Sequence, residues 1–306
     1  MDLAAPILDY LPYSAFFKTS FTKINISIYD AGGMMDEFSS GAALITGGAG
    51  GIGIGIAQAL AGKGLKLALA DIDPVALEAA GDALRAQGAE VLTQVLDVRD
   101  REAWERAVCR VESELAPLQI LCSNAGVAGS HLPIEQTDWE GWAWTIDINL
   151  HGTFNALKTC LPRLRAHRRR SHIVCTASLG AFLVGPGNAA YSATKAGVVA
   201  MCEALRGELA GTKVGISVLC PGLVNTGLLN NTRKLGPAVP LGSHSDEVAA
   251  AIKLAMAPSE VGERVVDGIR DNRFWLFTHA DLQPTVAKRC EEILSAMDRG
   301  NPYENR

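Results

Sequence analysis

The sequence predicts an α/β fold, a doubly wound parallel sheet in a single domain followed by a helical C-terminal extension. Three observations carry that prediction. From residue 41 onward, short apolar runs alternate with segments of helical period, the pattern of βαβ units whose sheet is covered on both faces. No linker or low-complexity stretch breaks the alternation between 41 and about 257. With 48% hydrophobic and 20% charged residues among 306, the chain has the apolar material for a sizeable core.

The elements follow in order. Ala42-Ala43-Leu44-Ile45-Thr46 is an apolar strand that runs into glycines, and a helix over 52–62 leads to a second strand at 65–70. Asp73-Pro74 is a helix start, since proline is tolerated at the first helical position. A helix at 74–86 follows, then strand 90–96, helix 100–115, strand 118–122 and a long helix at 138–166. Strand 172–177, helix 189–210 and strand 214–219 continue the alternation. Beyond them, 260–269 reads as an extra helix on one edge, 273–279 as a last strand and 281–298 as a helical tail. The domain is read as 41–280, including a substrate lid at 223–240, with 281–306 as the tail.

Residues 1–40 are different. They hold four of the eight Phe and three of the five Tyr, with no clear helix or strand period. The reading is an N-terminal extension, disordered or not native, with the natural start at Met34 or Met35. The competing reading is an ordered arm packing on the body or on a partner subunit. No signal-peptide layout is present, and no stretch approaches the roughly 20 apolar residues of a membrane span. A net charge of −5 gives no general attraction to nucleic acid or anionic membrane. The seven cysteines form no C-x-x-C pair and most sit in apolar runs, which argues against a disulfide framework or metal site and for a reducing cytoplasm.

Ligands of such sheets bind beyond the carboxyl ends of the strands, so the loops after each strand carry the chemistry. The first reads Thr46-Gly47-Gly48-Ala49-Gly50-Gly51-Ile52-Gly53. Its glycines allow a tight turn and close approach of backbone to a pyrophosphate, and the following helix offers free N–H groups and a positive dipole. A glycine loop alone is weak, and its place between first strand and first helix is what raises it. The second strand ends at Asp71, about 20 residues past the glycines, where a carboxylate suits the ribose hydroxyls of NAD and repels the 2′-phosphate of NADP. Tyr191 is the one tyrosine between residue 40 and Tyr303 near the end, and Lys195 follows it four residues later on the same helix face. A nearby ammonium lowers a phenol's pKa, making Tyr191 a candidate acid/base. Ser178, thirteen residues before Tyr191, is placed to hold a substrate oxygen.

Together these residues resemble the short-chain dehydrogenase/reductase family over roughly 41–226. The glycine loop fits its Thr-Gly-x-x-x-Gly-x-Gly pattern through Thr46, Gly47, Gly51 and Gly53, with Ile52 between. Asp97-Val98 matches the adenine-contacting pair, and Asn124-Ala125-Gly126 matches the Asn-Ala-Gly that closes the cofactor cleft, although Ser123 stands where Asn is usual. Asn149, Ser178, Tyr191 and Lys195 fall in the order of the family's catalytic tetrad. Pro221-Gly222-Leu223-Val224-Asn225-Thr226 resembles the segment that holds the nicotinamide carboxamide.

The resemblance implies a Rossmann-like fold, NAD as cofactor and a hydride transfer between a secondary alcohol and its ketone. In it Tyr191 removes the alcohol proton, Lys195 lowers the tyrosine pKa and binds ribose hydroxyls, and Ser178 orients the substrate oxygen. Asn149 is expected to kink its helix and hold a water leading from Lys195 to solvent. Cofactor contacts are expected from Gly47, Gly51, Ile52, Gly53, Asp71, Asp97, Val98, Asn124, Ala125, Gly126, Tyr191, Lys195, Pro221, Gly222, Val224 and Thr226, with no metal. A homodimer or homotetramer through the two long helices is implied as well. The apolar residues Leu179, Phe182, Leu183 and Val184, with the start of the lid, suit a hydrophobic or aromatic alcohol, and the C-terminal pattern resembles bacterial members of the family that act on aryl or alicyclic alcohols. The family's usual Asp-Gly-Gly ending is replaced by a sequence ending at His279, read as a polar loop residue, with reach to the active site or a neighbouring subunit as the alternative. Two other readings stay open: an NADPH-dependent ketone or 3-oxoacyl reductase, against which Asp71 argues, and a dinucleotide sensor without turnover, which has no need of the tyrosine–lysine pair.

Overall fold

The computed structural model describes residues 41–237, 251–252 and 254–299. Expectations for residues 1–40, for the last part of the lid and for Tyr303 lie outside the described residues. The first half runs β1 (Ala42–Thr46), α1 (Gly51–Ala61), β2 (Lys66–Asp71), α2 (Pro74–Ala86), β3 (Val91–Val95), α3 (Arg101–Glu114) and β4 (Leu118–Ser123). The second runs α4 (Trp139–Ile146), α5 (Gly152–Ala166), β5 (Ser171–Thr176), α6 (Ala189–Glu208) and β6 (Val214–Cys220). It continues through α7 (Leu228–Leu235), α8 (Pro258–Arg270), β7 (Trp275–Phe277) and α9 (Gln283–Arg299). The strands form one seven-stranded sheet in the order β3-β2-β1-β4-β5-β6-β7, and every pairing is parallel. The order reverses between β1 and β4, so a crevice opens at their carboxyl ends.

The central strands show why their sequences are continuously apolar. Along β1, Ala42 and Leu44 enter one core, with Trp104 of α3, Leu157 of α5 and Val198 of α6. Ala43 and Ile45 enter the other, with Ile56 of α1, Leu77 of α2 and Val261 of α8. Successive side chains point to opposite faces, so two cores demand two apolar sets. Each fully buried Leu or Ile contributes about 1.5–3 kcal/mol.

Helix α8 differs from the edge position its sequence implied. It crosses α1 so closely that a Cβ on Gly262 would meet the Gly55 carbonyl, and one on Gly55 would meet the Pro258 carbonyl. Two facing glycines let the backbones touch, so α8 is part of the layer covering the sheet.

The predicted long helix at 138–166 is interrupted. Residues Asp147–His151 form a π-helical turn between α4 and α5, and Asn149 lies within it, fully buried. An inserted residue there widens the turn and aims the Asn149 side chain inward.

Candidate active site

The glycine loop after β1 is a cradle that side chains would fill. Gly47 and Gly51 have φ of +64° and +53°, a region that favours glycine. A Cβ on Gly47 would lie 3.1 Å from the Ala125 Cα, and one on Gly53 would strike the Gly47 carbonyl. Gly53 thus packs the loop against its helix, while Gly47, Gly51 and Ile52 line a cleft of about 520 Å³.

A hydrogen-bonded chain crosses the carboxyl edge of the sheet beside that cradle. Asn124 Nδ2 donates to the Thr46 carbonyl at 3.1 Å, and Thr176 Oγ1 donates to Asn124 Oδ1 at 3.1 Å. Lys195 Nζ then donates to the Thr176 carbonyl at 2.9 Å. The Thr46 hydroxyl also accepts the Asn124 and Ala125 N–H groups at 3.0 and 3.1 Å. Neither the linking role of Thr46 nor that of Thr176 was read from sequence; a threonine at the end of two buried strands was the available signal.

Asn149 braces the same region from behind. Its Oδ1 accepts the Val127 N–H at 2.8 Å, and its Nδ2 donates to the Val127 carbonyl at 2.9 Å and to Thr194 Oγ1 at 3.2 Å. The π-turn is what brings it there, so the side chain fixes the loop after β4 against the helix that carries Lys195.

Ser178 Oγ accepts the Gly180 N–H at 2.9 Å and lies beside the Tyr191 ring: a Cβ on Gly180 would be 3.3 Å from the one and 3.1 Å from the other. Burial raises the Tyr191 pKa above its usual 10, with the Ser178 hydroxyl pulling the other way. Burial also pushes the Lys195 ammonium down from 10.5 to about 8. Its Nζ lies 5.7 Å from the centre of the Tyr191 ring, and Lys195 is only 4% exposed. A charge at that depth acts through a less screened medium.

At the far end of the cleft, Asp71 uses each oxygen once: Oδ2 accepts the Ala49 N–H and Oδ1 the Asp73 N–H, both at 3.1 Å. Asp73, in turn, caps α2 through the Val75 and Ala76 N–H groups at 3.1 Å, leaving Asp71 free of that duty. Asp97 and Val98 line the cleft. Asp97 is clamped by Arg99, which holds its carboxyl below the usual range.

The opposite wall is the segment 221–226, from which Pro221, Val224 and Thr226 line the cleft, as do Asn124, Ala125, Gly126, Tyr191 and Lys195 on the other sides. Gly222 faces away: its N–H donates to Thr278 Oγ1 at 3.1 Å, and a Cβ on it would be 2.7 Å from His279 Nδ1. His279 therefore backs the wall without entering the cleft, and Thr278, unread from sequence, fixes it. Gly53, Asn149 and Gly222 thus stand behind the cleft surface, where they shape the residues that line it, and Ser178 is half-buried beside Tyr191.

The apolar loop after Ser178 stands, like Ser178 itself, outside the lining of this cleft. Phe182 packs on Trp275 and Phe277, with ring centres 5.9 and 5.7 Å away. The apolar lining comes instead from Trp144, Ile148, Leu223, Leu228 and Leu235, the last two on α7. Lys234 of α7 reaches Asp73 across the cleft, 2.7 Å from Oδ2; sequence reading missed this pair because 161 residues separate its members.

Comparison with known proteins places this geometry in a family. The family model described as short chain dehydrogenase matches residues 41–235. The chain is 32% identical over 256 residues to the 1-deoxy-11-beta-hydroxypentalenate dehydrogenase of Streptomyces exfoliatus, covering 82% of this chain and 88% of that one. Its fold is similar to a short chain dehydrogenase/reductase from Burkholderia phymatum solved in complex with NAD, at a TM-score of 0.81 and 30% identity, over 86% of this chain and 97% of that one. It is also similar to an actinorhodin polyketide ketoreductase variant solved with NADPH, at a TM-score of 0.70 and 30% identity, over 79% and 97% of the two chains. Matched by the family model across the whole glycine loop, sheet edge and α7, this chain belongs to the short-chain dehydrogenase/reductase family of oxidoreductases.

Proposed function

We propose that the chain is an NAD(H)-dependent oxidoreductase that interconverts a hydrophobic, aryl or alicyclic, secondary alcohol and its ketone. One observation carries this reading: Tyr191 and Lys195 line one end of a cleft at the carboxyl edge of the sheet, with Ser178 beside Tyr191, and Asp71 lines the other end.

The cleft suits a nicotinamide dinucleotide. The glycine cradle leaves backbone N–H groups open to a pyrophosphate, Asp71 would take the ribose hydroxyls, and 221–226 would hold the carboxamide. When bound there, the dinucleotide supplies the hydride acceptor or donor. Tyr191 takes the proton from the alcohol oxygen during oxidation and returns it during reduction. Ser178 holds that oxygen and stabilises the charge developing on it, which acts on the transition state. Lys195, while charged, opposes the burial that otherwise keeps the Tyr191 phenol protonated, and it binds ribose hydroxyls. Trp144, Ile148, Leu223, Leu228 and Leu235 exclude water around the substrate.

The preference for NAD rests on Asp71, whose charge would repel a 2′-phosphate. Besides Lys195, the cations Arg99 and Lys234 line the cleft, and they are engaged by Asp97 and Asp73. A panel of secondary alcohols with NAD⁺ and NADP⁺, followed by absorbance of the reduced nicotinamide, tests cofactor, direction and substrate class together. Turnover restricted to NADPH and ketones would favour the reductase reading instead.

The family habit of assembling through the two long helices extends to a proposed homodimer or homotetramer using α5 and α6, with Phe154 of α5 exposed. Light scattering after size exclusion checks it. We also assign the protein to the cytoplasm, where the core thiols Cys122, Cys160, Cys175, Cys202 and Cys220 stay reduced.

A further inference from the structure

Helix α7 lies over the cleft, and three of the contacts that hold it are of unequal strength. The hydroxyl of Thr232, itself 5% exposed, accepts the Ala128 N–H at 2.9 Å and donates to the Leu228 carbonyl at 2.8 Å. Just past the helix, Gly236 rests on Trp144, where a Cβ would be 3.0 Å from the indole. These two anchors tie α7 to the β4 side. The third contact runs the other way, from Lys234 Nζ to Asp73 Oδ2 at 2.7 Å, and 67% of the lysine side chain is exposed. Both residues line the cleft, so this ion pair bridges it at the end where Asp71 sits. The buried anchors are durable, whereas the exposed pair is weak and screened by salt.

We propose that Lys234 and Asp73 form a latch that retains the dinucleotide, so that breaking this one surface ion pair frees the cofactor. The proposal rests on the reading of the cleft as a dinucleotide site. Asp73 is suited to a separable role because its two oxygens are divided. Oδ1 caps α2 through Val75 and Ala76, and Oδ2 holds Lys234. Asparagine caps helices about as well as aspartate, so Asp73→Asn removes the latch and keeps the cap. An opening at Lys234 alone leaves α7 attached through Thr232 and Trp144, so the helix swings rather than detaches.

The test is stopped-flow displacement of NADH from the full chain, read by nicotinamide fluorescence, for wild type, Lys234→Met, Asp73→Asn and the double variant. Each single variant is expected to release NADH about two- to fivefold faster, the range an exposed ion pair supports. The double variant should be no faster than either single, because both remove the same interaction. Raising ionic strength from about 0.05 M to about 0.5 M should speed release from wild type but change the variants much less. Unchanged release in the single variants overturns the latch. So does tighter NADH binding in Asp73→Asn with weaker binding in Lys234→Met, which would make Lys234 a direct phosphate ligand. Wild-type protein that binds neither NADH nor NADPH defeats the dinucleotide reading itself, and the latch with it.

Discussion

Lys195 donates a hydrogen bond to the Thr176 carbonyl at 2.9 Å, anchoring a buried ammonium to the end of β5. The lysine is thereby held by the sheet edge rather than by its own long, flexible stem. Its charge is costly at that depth, and burial lowers its pKa to about 8.

That cost has a measurable pH signature. The folded pKa lies below the unfolded value of 10.5, so between about 8 and 10.5 the unfolded state binds more protons and stability rises with pH. The penalty is fully present below pH 8 and corresponds to about 3 kcal/mol. Replacing Lys195 by Met removes it, at the expense of leaving the Thr176 carbonyl unpaired, which costs about 1–3 kcal/mol. Urea titrations of Lys195→Met should show stability no lower than wild type at pH 7. The variant's relative advantage should decline as pH rises through 8 to 10, while turnover is lost throughout. A pH-independent difference would show that the ammonium carries no such penalty.

Tyr191→Phe deletes one oxygen from a ring that packs in place. Turnover should fall by about 10³-fold, within the span of general acid–base catalysis, while NADH binding by fluorescence titration stays near wild type. Substantial residual turnover would remove Tyr191 from its assigned role.

Asp71→Asn keeps the shape of the side chain but not the charge that repels a 2′-phosphate. A charge-assisted hydrogen bond contributes about 1.5–3 kcal/mol, so affinity for NAD should drop about ten- to a hundredfold and discrimination against NADP should shrink. Paired titrations with both cofactors read the ratio directly, and an unchanged ratio would place the selectivity elsewhere.

Gly262→Ala tests the α1–α8 crossing. The added methyl meets the Gly55 carbonyl and sits 3.1 Å from the Ile56 nitrogen, and backbone cannot yield as a side-chain tip can. A loss of at least about 1–3 kcal/mol is expected, seen as a lower urea midpoint with an unchanged slope. Full stability would mean that the two helices separate at little cost.

Much of this was legible in the sequence because its signals are local. The alternation of apolar runs and helical periods specifies a parallel sheet, and the glycine loop is informative because it falls between the first strand and the first helix. Asp73-Pro74 capped its helix as its residues implied. The unread features are products of distance. Thr46, Asn124 and Thr176 become one chain only after β1, β4 and β5 lie side by side. Phe182 was read as a cleft wall because a hydrophobic residue near Ser178 looks like one. The competing aromatic surface of Trp275 and Phe277 is more than ninety residues away. Lys234 gains its partner only when the fold brings Asp73 beside it.

The π-turn at Asp147–His151 has a consequence for how this site tolerates change. The wide turn absorbs one extra residue, which in an α-helix would turn the chain by about 100°, so α4 and α5 keep their phase. Deleting a single residue there would leave two good helices and most of the core, yet would swing Asn149 away from both the Val127 backbone and Thr194. Folding and function are thus indexed differently at this point: the scaffold is indifferent to a count that the site must keep.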